Sequence, residues 1–415
     1  MTLKEELEIL RGEPIGVRTG DPLDIPCIET SDAERLCKHP VVSVHMLTYN
    51  HEPYIRQAIE GVMMQKTDFE FELVIGEDAS TDKTREICFE YQEKYPEKIR
   101  VLWWHENLRK IKPPAGGNLQ RVTAHCRGEF IAFCEGDDYW IDPLKLQKQV
   151  DVMSQHPNVG LCFTNATVLQ HESGISSDWA GAKCYVPGLI SGDRFFSMYS
   201  YGIDPERGQI DSWGLFILTA SCMIRRSLLN ELQNRYEIFT WRLLLGDKQL
   251  WLGLATLSDV YYIGDKTVVY RRNNGSAMAR NTRGVYRDSA VAKIFLAIKG
   301  PYKYALPFPI IENVFFRRGC RIPVQETARA IQDVLRKCKV SFDGVSLGTR
   351  VRWSLFFKIK RVWVFRLRLP SLFARGRFRR FIQHLREHGM RFAFGKLKRQ
   401  ILQQGEYARN FGFSK

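Results

Sequence analysis

Residues 41–52 read VVSVHMLTYNHE. Val41–Leu47 is a short apolar run rich in β-branched residues, the pattern of a strand covered on both faces. Thr48-Tyr49-Asn50-His51 breaks the run with polar groups. From about Glu52, apolar side chains recur at Ile55, Ile59, Val62 and Met63, which is one face of a helix. The alternation continues downstream. Phe71–Gly76 (FELVIG) reads as a second strand, and the polar turn Glu77–Asp82 leads into a helix with Ile87, Cys88, Tyr91 and Tyr95 on one side. Ile99–Trp104 is a third strand. The Gly/Pro-rich loop Pro113–Asn118 opens another helix, and Phe130–Cys134 (FIAFC) is a fourth strand ending in Glu135-Gly136-Asp137-Asp138. A helix carrying Leu146, Val150 and Met153 and a strand over Val159–Phe163 follow.

Strands and helices in this order predict an α/β fold. Right-handed crossovers then give a mostly parallel sheet flanked by helices. Ligands of such sheets bind beyond the carboxyl ends of the strands, where the strand order reverses. Three polar turns fall at those ends: Thr48–Asn50, Glu77–Asp82 and Glu135–Asp138. Their convergence on one rim is the strongest functional signal in the residues themselves. Residues 170–215 are Gly- and Ser-rich with poor periodicity and read as a long excursion or lid. Regular structure resumes over Thr219–Ile224, Asp247–Leu254, Val260–Ile263 and Thr267–Tyr270.

Composition narrows the classes. The chain has 415 residues, 44% of them hydrophobic and 26% charged, enough apolar material for a globular core. No stretch approaches the 18 or so apolar residues of a spanning helix, and MTLKEELEIL at the start has neither the basic nor the apolar part of a signal peptide. The ten cysteines form no CxxC pair, and several sit in apolar runs; buried free thiols in a reducing, cytoplasmic compartment follow. The sequons at Asn165 and Asn274 are then chance matches. The net charge of +15 is concentrated: residues 350–415 hold 18 Lys and Arg against Glu387 and Glu406. The body of the chain is therefore close to neutral, and attraction to anions belongs to the tail.

No glycine-rich phosphate loop is present, so a carboxylate cluster suggests another way to hold a diphosphate. A hard divalent cation, Mg²⁺ or Mn²⁺, binds one or two protein carboxylates and takes phosphate oxygens as its remaining ligands. Glu135 and Asp137 can supply that pair. A solvated acidic turn, with Asp138 capping a helix, is the plain alternative; the neighbouring polar turns favour the metal.

Taken together, VVSVHMLTYNHEPYIRQAI, FELVIGEDASTDKT and GEFIAFCEGDDYWIDPLKLQKQV, in that order and spacing, resemble the family 2 glycosyltransferases of GT-A (Rossmann-like) fold. The likeness covers about Val41 to Met278. It implies an inverting enzyme that takes a sugar from a nucleotide-diphosphate sugar. On the matching positions, Thr48, Asn50 and Glu52 line the nucleotide, Asp78 bonds the base, and Gly117 and Asn118 approach the ribose and phosphates. Glu135, Gly136 and Asp137 stand at the DxD motif, with Asp137 the better metal ligand and Glu135 a departure from the commoner Asp. Asp247, in LLGDKQLWLGLA, matches the catalytic acidic position, although an Asp there also suits a helix N-cap. Arg271, in YRRNN, matches the segment that closes over the donor; it either touches the diphosphate or forms a structural ion pair.

The resulting expectations are an N-terminal extension over 1–40, a catalytic domain over 41–290, a helical linker region over 291–349, and a basic, mainly helical tail over 350–415. In the tail, Trp353, Phe356, Phe357, Trp363 and Phe365 alternate with Lys358, Lys360, Arg361 and Arg366. Such interleaving suits an anionic membrane surface, and equally a helical subdomain packed on the body; nucleic acid is the weaker rival. The HxxEH pattern at His384–His388 sits among arginines that disfavour a dication. The expected function is sugar transfer to a saccharide or lipid-linked saccharide in cell-surface polysaccharide synthesis, at the cytoplasmic face of the membrane. The alternatives are a non-catalytic nucleotide-binding scaffold and a nucleotidyltransferase.

Overall fold

The structure is a computed structural model that describes residues 27–108, 118–201, 203–204, 208–209, 217–235 and 246–272. The chain divides into two compact units, Met1–Val340 and Ser341–Lys415, and every described residue belongs to the first. The linker at 291–349, the basic tail, the HxxEH pattern, Gly117 and Asn274 lie outside the described residues.

The alternation seen in the sequence holds. Strand β1 (Ile28–Thr30) is followed by β2 (Val42–Thr48), helix α1 (Ile55–Met63), β3 (Phe71–Glu77), α2 (Thr84–Lys94) and β4 (Ile99–Trp103). Then come α3 (Asn118–His125), β5 (Phe130–Phe133), the short β6 (Tyr139–Trp140), α4 (Lys145–Gln155) and β7 (Val159–Gln170). The sheet runs β1-β4-β3-β2-β5, then β12 (Cys222–Arg225), β7, β13 (Asp259–Arg272) and β6. Strands β4, β3, β2 and β5 are parallel neighbours. The chain runs outward from β2 to β4 and then returns to β5 on the other side of β2. The order therefore reverses at β2 and β5, and a crevice opens at their carboxyl ends.

The sheet is mixed rather than uniformly parallel. Strand β12 pairs antiparallel with both β5 and β7. It arrives after the excursion, which itself holds β8 (Ser176–Asp178), β9 (Gly188–Ile190) and α5 (Gly192–Tyr201), with β10 (Ile203–Asp204) and β11 (Gly208–Gln209) paired as a small separate ribbon. Beyond β12, α6 (Ser227–Arg235) and α7 (Gly246–Ala255) lead to β13. Two strands read as separate, 260–263 and 267–270, are one: β13 follows β7 in parallel, with register shifts around Lys266 that absorb the break. The reading of 1–40 as an extension misses β1, which pairs Ile28 with Trp103 along the edge of β4.

Burial explains the elements. Every residue of β3 is buried, and α1 turns Ile55, Ala58, Ile59 and Val62 inward. Each such aliphatic side chain contributes about 1.5–3 kcal/mol when taken out of water. Helix α4 buries the expected Leu146, Val150 and Met153, but also Lys145 and Gln149. The Lys145 ammonium lies 4.2 Å from the centre of the Trp140 ring and donates to Gln149 Oε1 at 2.6 Å. Burial pulls its pKa down to about 8. All eight cysteines among the described residues are free thiols, six of them buried. Asn165 spends its side chain internally, accepting from Ala166 N–H at 2.8 Å and donating to Gly264 O at 3.3 Å. Of the Trp103-Trp104 pair, Trp104 is core, while Trp103 is half-buried beneath the Arg85 guanidinium at 4.7 Å.

Candidate active site

Strand β2 ends in Thr48, and the chain then turns through Asn50, a non-glycine residue at φ 53°. That left-handed turn is held from the neighbouring loop. Asn50 N–H donates to Ser80 Oγ at 3.0 Å, and Asn50 Oδ1 accepts from Thr81 N–H at 2.8 Å. Glu52 N–H donates to Asp82 Oδ2, and Glu52 Oε2 accepts from Lys83 N–H, both at 3.1 Å. Asn50 and Glu52 thus knit the first polar turn to the second.

The second turn is built around two carboxylates. Glu77, fully buried at the end of β3, accepts from Ser80 N–H at 2.6 Å and from Arg85 Nε at 2.5 Å. Asp78 is 6% exposed; its Oδ1 accepts from Leu108 N–H at 2.8 Å and its Oδ2 from Asn107 Nδ2 at 3.1 Å. Asp78 N–H donates to Thr48 O at 3.1 Å, which seats this turn against the end of β2. Ala79 is at φ 57°, a conformation that costs an L-residue about a kcal/mol or more. Asn118, at the start of α3, donates from Nδ2 to Gly76 O at 3.0 Å, while its Oδ1 is sealed from solvent with no hydrogen-bond partner.

The third turn lies directly beyond β5. Gly136 N–H donates to Leu47 O at 2.9 Å. A Cβ at Gly136 would stand 2.8 Å from Thr48 Oγ1 and 2.9 Å from His51 Nδ1, so no side chain fits between the turns. His51 links them, with Nδ1 3.3 Å from Thr48 Oγ1 and Nε2 4.0 Å from Asp137 Oδ2. Burial lowers the His51 pKa, against the pull of the Asp137 and Asp82 charges. Asp138 is buried and, contrary to a capping role, accepts from Arg271 N–H at 2.8 Å. Its pKa is raised well above the usual range by burial and by the charges of Asp137 and Glu135.

Arg271 comes from the end of β13 and is 5% exposed. Its guanidinium donates to Asp137 O at 2.8 Å and to Gln57 Oε1, and lies 4.4 Å from the Tyr139 ring centre and 5.3 Å from that of Tyr54. Arg271 thus clamps the acidic turn through the Asp137 carbonyl.

Glu135 is the most perturbed carboxyl with a definable value. Its Oε2 is sealed from solvent with no hydrogen-bond partner, and its pKa is pushed up to about 8 by burial, then by the charges of Asp137 and Asp247. Asp247 stands in the first turn of α7 and accepts from Thr219 Oγ1 at 3.1 Å. Its charge reaches Glu135 and adds to the rise of that pKa. Asp78 follows the carboxyl end of β3 and Asp137 that of β5, the two strands on either side of β2. The sequence reading missed His51, Glu77, Arg85 and Thr219; the first three lie in or beside quoted motifs and Thr219 in none, and nothing in the spacing says which neighbour each one meets.

The raised pKa of Glu135 has a consequence for stability. A carboxyl whose pKa rises from 4.5 to about 8 on folding costs nothing in its protonated form and destabilises increasingly as pH climbs through that window. Glu135→Gln is therefore expected to raise Tm at pH 8.5 in EDTA by several degrees, at roughly 2–4 °C per kcal/mol. The gain should shrink as pH falls and vanish below 4.5, where the wild-type carboxyl is protonated in both states. A pH-independent difference would contradict a buried charge at this position.

Among the described residues no three His, Cys, Asp or Glu side chains are arranged to hold a metal by themselves. The carboxylates nevertheless fit a divalent cation that takes its other ligands from phosphate. Glu135 Oε2 has no protein partner, and two hard oxygen donors are the usual protein share at such a site. A separate open groove of about 470 Å³, lined in part by Lys148, Tyr261 and Asp265, contains none of these residues.

Comparison with known proteins agrees with this geometry. Residues 43–233 match the model of glycosyl transferase family 2. The protein Rv1520 of Mycobacterium tuberculosis is 40% identical over 138 residues, covering 33% of this chain and 38% of its own length. The dTDP-rhamnosyl transferase RfbG of Shigella flexneri is 30% identical over 132 residues, 31% of this chain and 43% of its own length. The matches thus span less than half of each relative. The S. aureus TarS structure superposes with a TM-score of 0.50 at 16% identity, over 71% of this chain and 48% of that one, a likeness of fold. Over residues 43–233 the chain thus carries the match to glycosyl transferase family 2, on a mostly parallel α/β sheet consistent with the GT-A fold.

Proposed function

We propose that the protein is an inverting glycosyltransferase that moves a sugar from a nucleotide-diphosphate sugar to a saccharide or lipid-linked saccharide, in cell-surface polysaccharide assembly. The observation that carries this reading is the acidic turn Glu135–Asp138 just beyond β5, where the strand order reverses, with the Asp247 charge reaching Glu135 from the first turn of α7.

The residues divide the work. Asp78 and the loop around Asn118 border the nucleotide, and Thr48, Asn50 and Glu52 shape the turn beneath it. Asp137, with Glu135, holds a divalent cation, Mg²⁺ or Mn²⁺, beside the diphosphate. When bound, that cation offsets negative charge building on the departing nucleoside diphosphate. Asp247 accepts the proton of the acceptor hydroxyl as its oxygen attacks the anomeric carbon from the face opposite the leaving group. One displacement of this kind inverts the anomeric configuration. Gly136 lets the turn lie close against Thr48 and His51, and Arg271 fixes its backbone from behind, so the carboxylates are in place before substrate arrives.

The test is a thermal-shift panel of UDP-, GDP-, dTDP- and CDP-sugars with Mn²⁺, followed by product analysis with the stabilising donor. Transfer of the sugar with inverted configuration supports the reading. Transfer of the nucleotidyl group, or binding with no turnover on any saccharide or lipid-linked acceptor, rejects it.

Among the described residues no helix is long and apolar enough to cross a membrane. We further propose that the basic tail holds the protein against an anionic leaflet, each cation near the surface contributing about 1 kcal/mol. Deleting residues 350–415 is expected to shift the protein from the membrane fraction to the soluble one, and an unchanged distribution rules out the anchor.

A further inference from the structure

The Asp247 carboxylate accepts a hydrogen bond from a residue that no motif singles out. We infer that Thr219 is a positioning residue for the catalytic base: its hydroxyl holds the Asp247 carboxylate in the orientation required for proton transfer. The inference rests on the proposed role of Asp247 and extends it.

Thr219 opens a single 3-10 turn, Thr219–Ser221, between the excursion and β12. That turn is tied down from three directions. Trp140, which follows the acidic turn and is 1% exposed, donates from Nε1 to Ala220 O at 2.9 Å. Gln149, buried in α4, donates from Nε2 to Ser221 O at 3.0 Å. Ser221 Oγ closes the turn on itself, donating to Leu218 O at 2.6 Å. Ala220 and Ser221 are buried, so the backbone carrying Thr219 has little freedom. From this support Thr219 Oγ1 donates to Asp247 Oδ2 at 3.1 Å.

The arrangement has a mechanical meaning. An aspartate carboxylate turns readily about its terminal torsion, which is broad and roughly two-fold. One hydrogen bond from a fixed donor selects an orientation, and proton transfer is sensitive to displacements of an ångström or less. The same turn receives the Trp140 bond, and Trp140 stands two residues beyond Asp138. The turn therefore links the half of the cleft that holds the leaving group to the half that receives the acceptor. Asp247 belongs to α7, a separate element from the sheet that carries Glu135 and Asp137. Thr219 is a polar tie between them.

The test compares Thr219→Val, Thr219→Ser and Asp247→Asn in the full chain, using whichever UDP-, GDP-, dTDP- or CDP-sugar the wild type turns over. Thr219→Val keeps the shape and removes the donor. It is expected to lower kcat by about 10–100-fold with the donor KM within about two-fold, whereas Thr219→Ser stays within a few-fold of wild type. Wild-type kcat in Thr219→Val beside an inactive Asp247→Asn overturns the positioning role alone. Equal impairment of the Ser and Val variants, or a matching loss of thermal stability in both, also overturns it, since a packing role does not distinguish a hydroxyl. Wild-type turnover in Asp247→Asn removes the base assignment itself and with it this inference.

Discussion

Asp247→Asn is expected to lower kcat by about 10²–10⁴-fold while leaving donor affinity within a few-fold, the signature of losing a general base. The amide is nearly the same size and can still accept from Thr219 Oγ1, so the 3.1 Å contact has a replacement. What it cannot do is take a proton from the acceptor hydroxyl. The attacking oxygen must then carry its proton into the transition state. In the proposed reading the donor is held by Asp78, Asn118 and Asp137, so its binding should survive. Steady-state kinetics paired with calorimetric titration of the donor separate the two quantities. A variant that turns over at the wild-type rate excludes Asp247 as the base.

The second large effect belongs to Asp137. Asp137→Ala is expected to abolish the Mn²⁺-dependent part of donor binding and to lower kcat/KM by about 10²–10³-fold, the range found on removing one group that stabilises developing charge. Its carboxylate is partly exposed, its side chain showing 20% of its surface, whereas Asp138 next to it is buried and bonded to Arg271 N–H. Of the two adjacent aspartates, Asp137 is therefore the one that can meet a ligand. The substitution also removes a charge that raises the pKa of Glu135, so the remaining carboxyl should ionise more readily. A calorimetric titration with Mn²⁺ that matches wild type would take Asp137 out of the ligand set.

Much of this was legible because the signals are local. A buried parallel strand writes itself as an unbroken apolar run, and VSVHML and FELVIG read directly as β2 and β3. The polar turns were legible for the same reason: each interrupts an apolar run abruptly at a strand's carboxyl end. Lys145 and Gln149 were not, because long polar side chains at core positions carry no periodic signal. Their burial depends on Trp140 and on the carbonyls of Cys162 and Ser221 offering partners. The antiparallel insertion of β12 was also hidden, since four residues of strand record nothing about direction.

Arg271 shows the same division within the site. Its sequence context allowed contact with a diphosphate or a structural ion pair; the fold surrounds its guanidinium with Gln57, Tyr54, Tyr139 and Asp137 O, neighbours that the spacing does not predict. The sequence by itself determined the order of strands and helices and the acidic character of the turns between them, because backbone preference and hydrophobic period act over a few residues. Which carboxyl is pushed up to a pKa of about 8 and which hydroxyl bonds Asp247 were decided only by the tertiary structure. Charge coupling and hydrogen bonding act through space over a few ångströms, and residues 135, 219 and 247 become neighbours only after the sheet has formed.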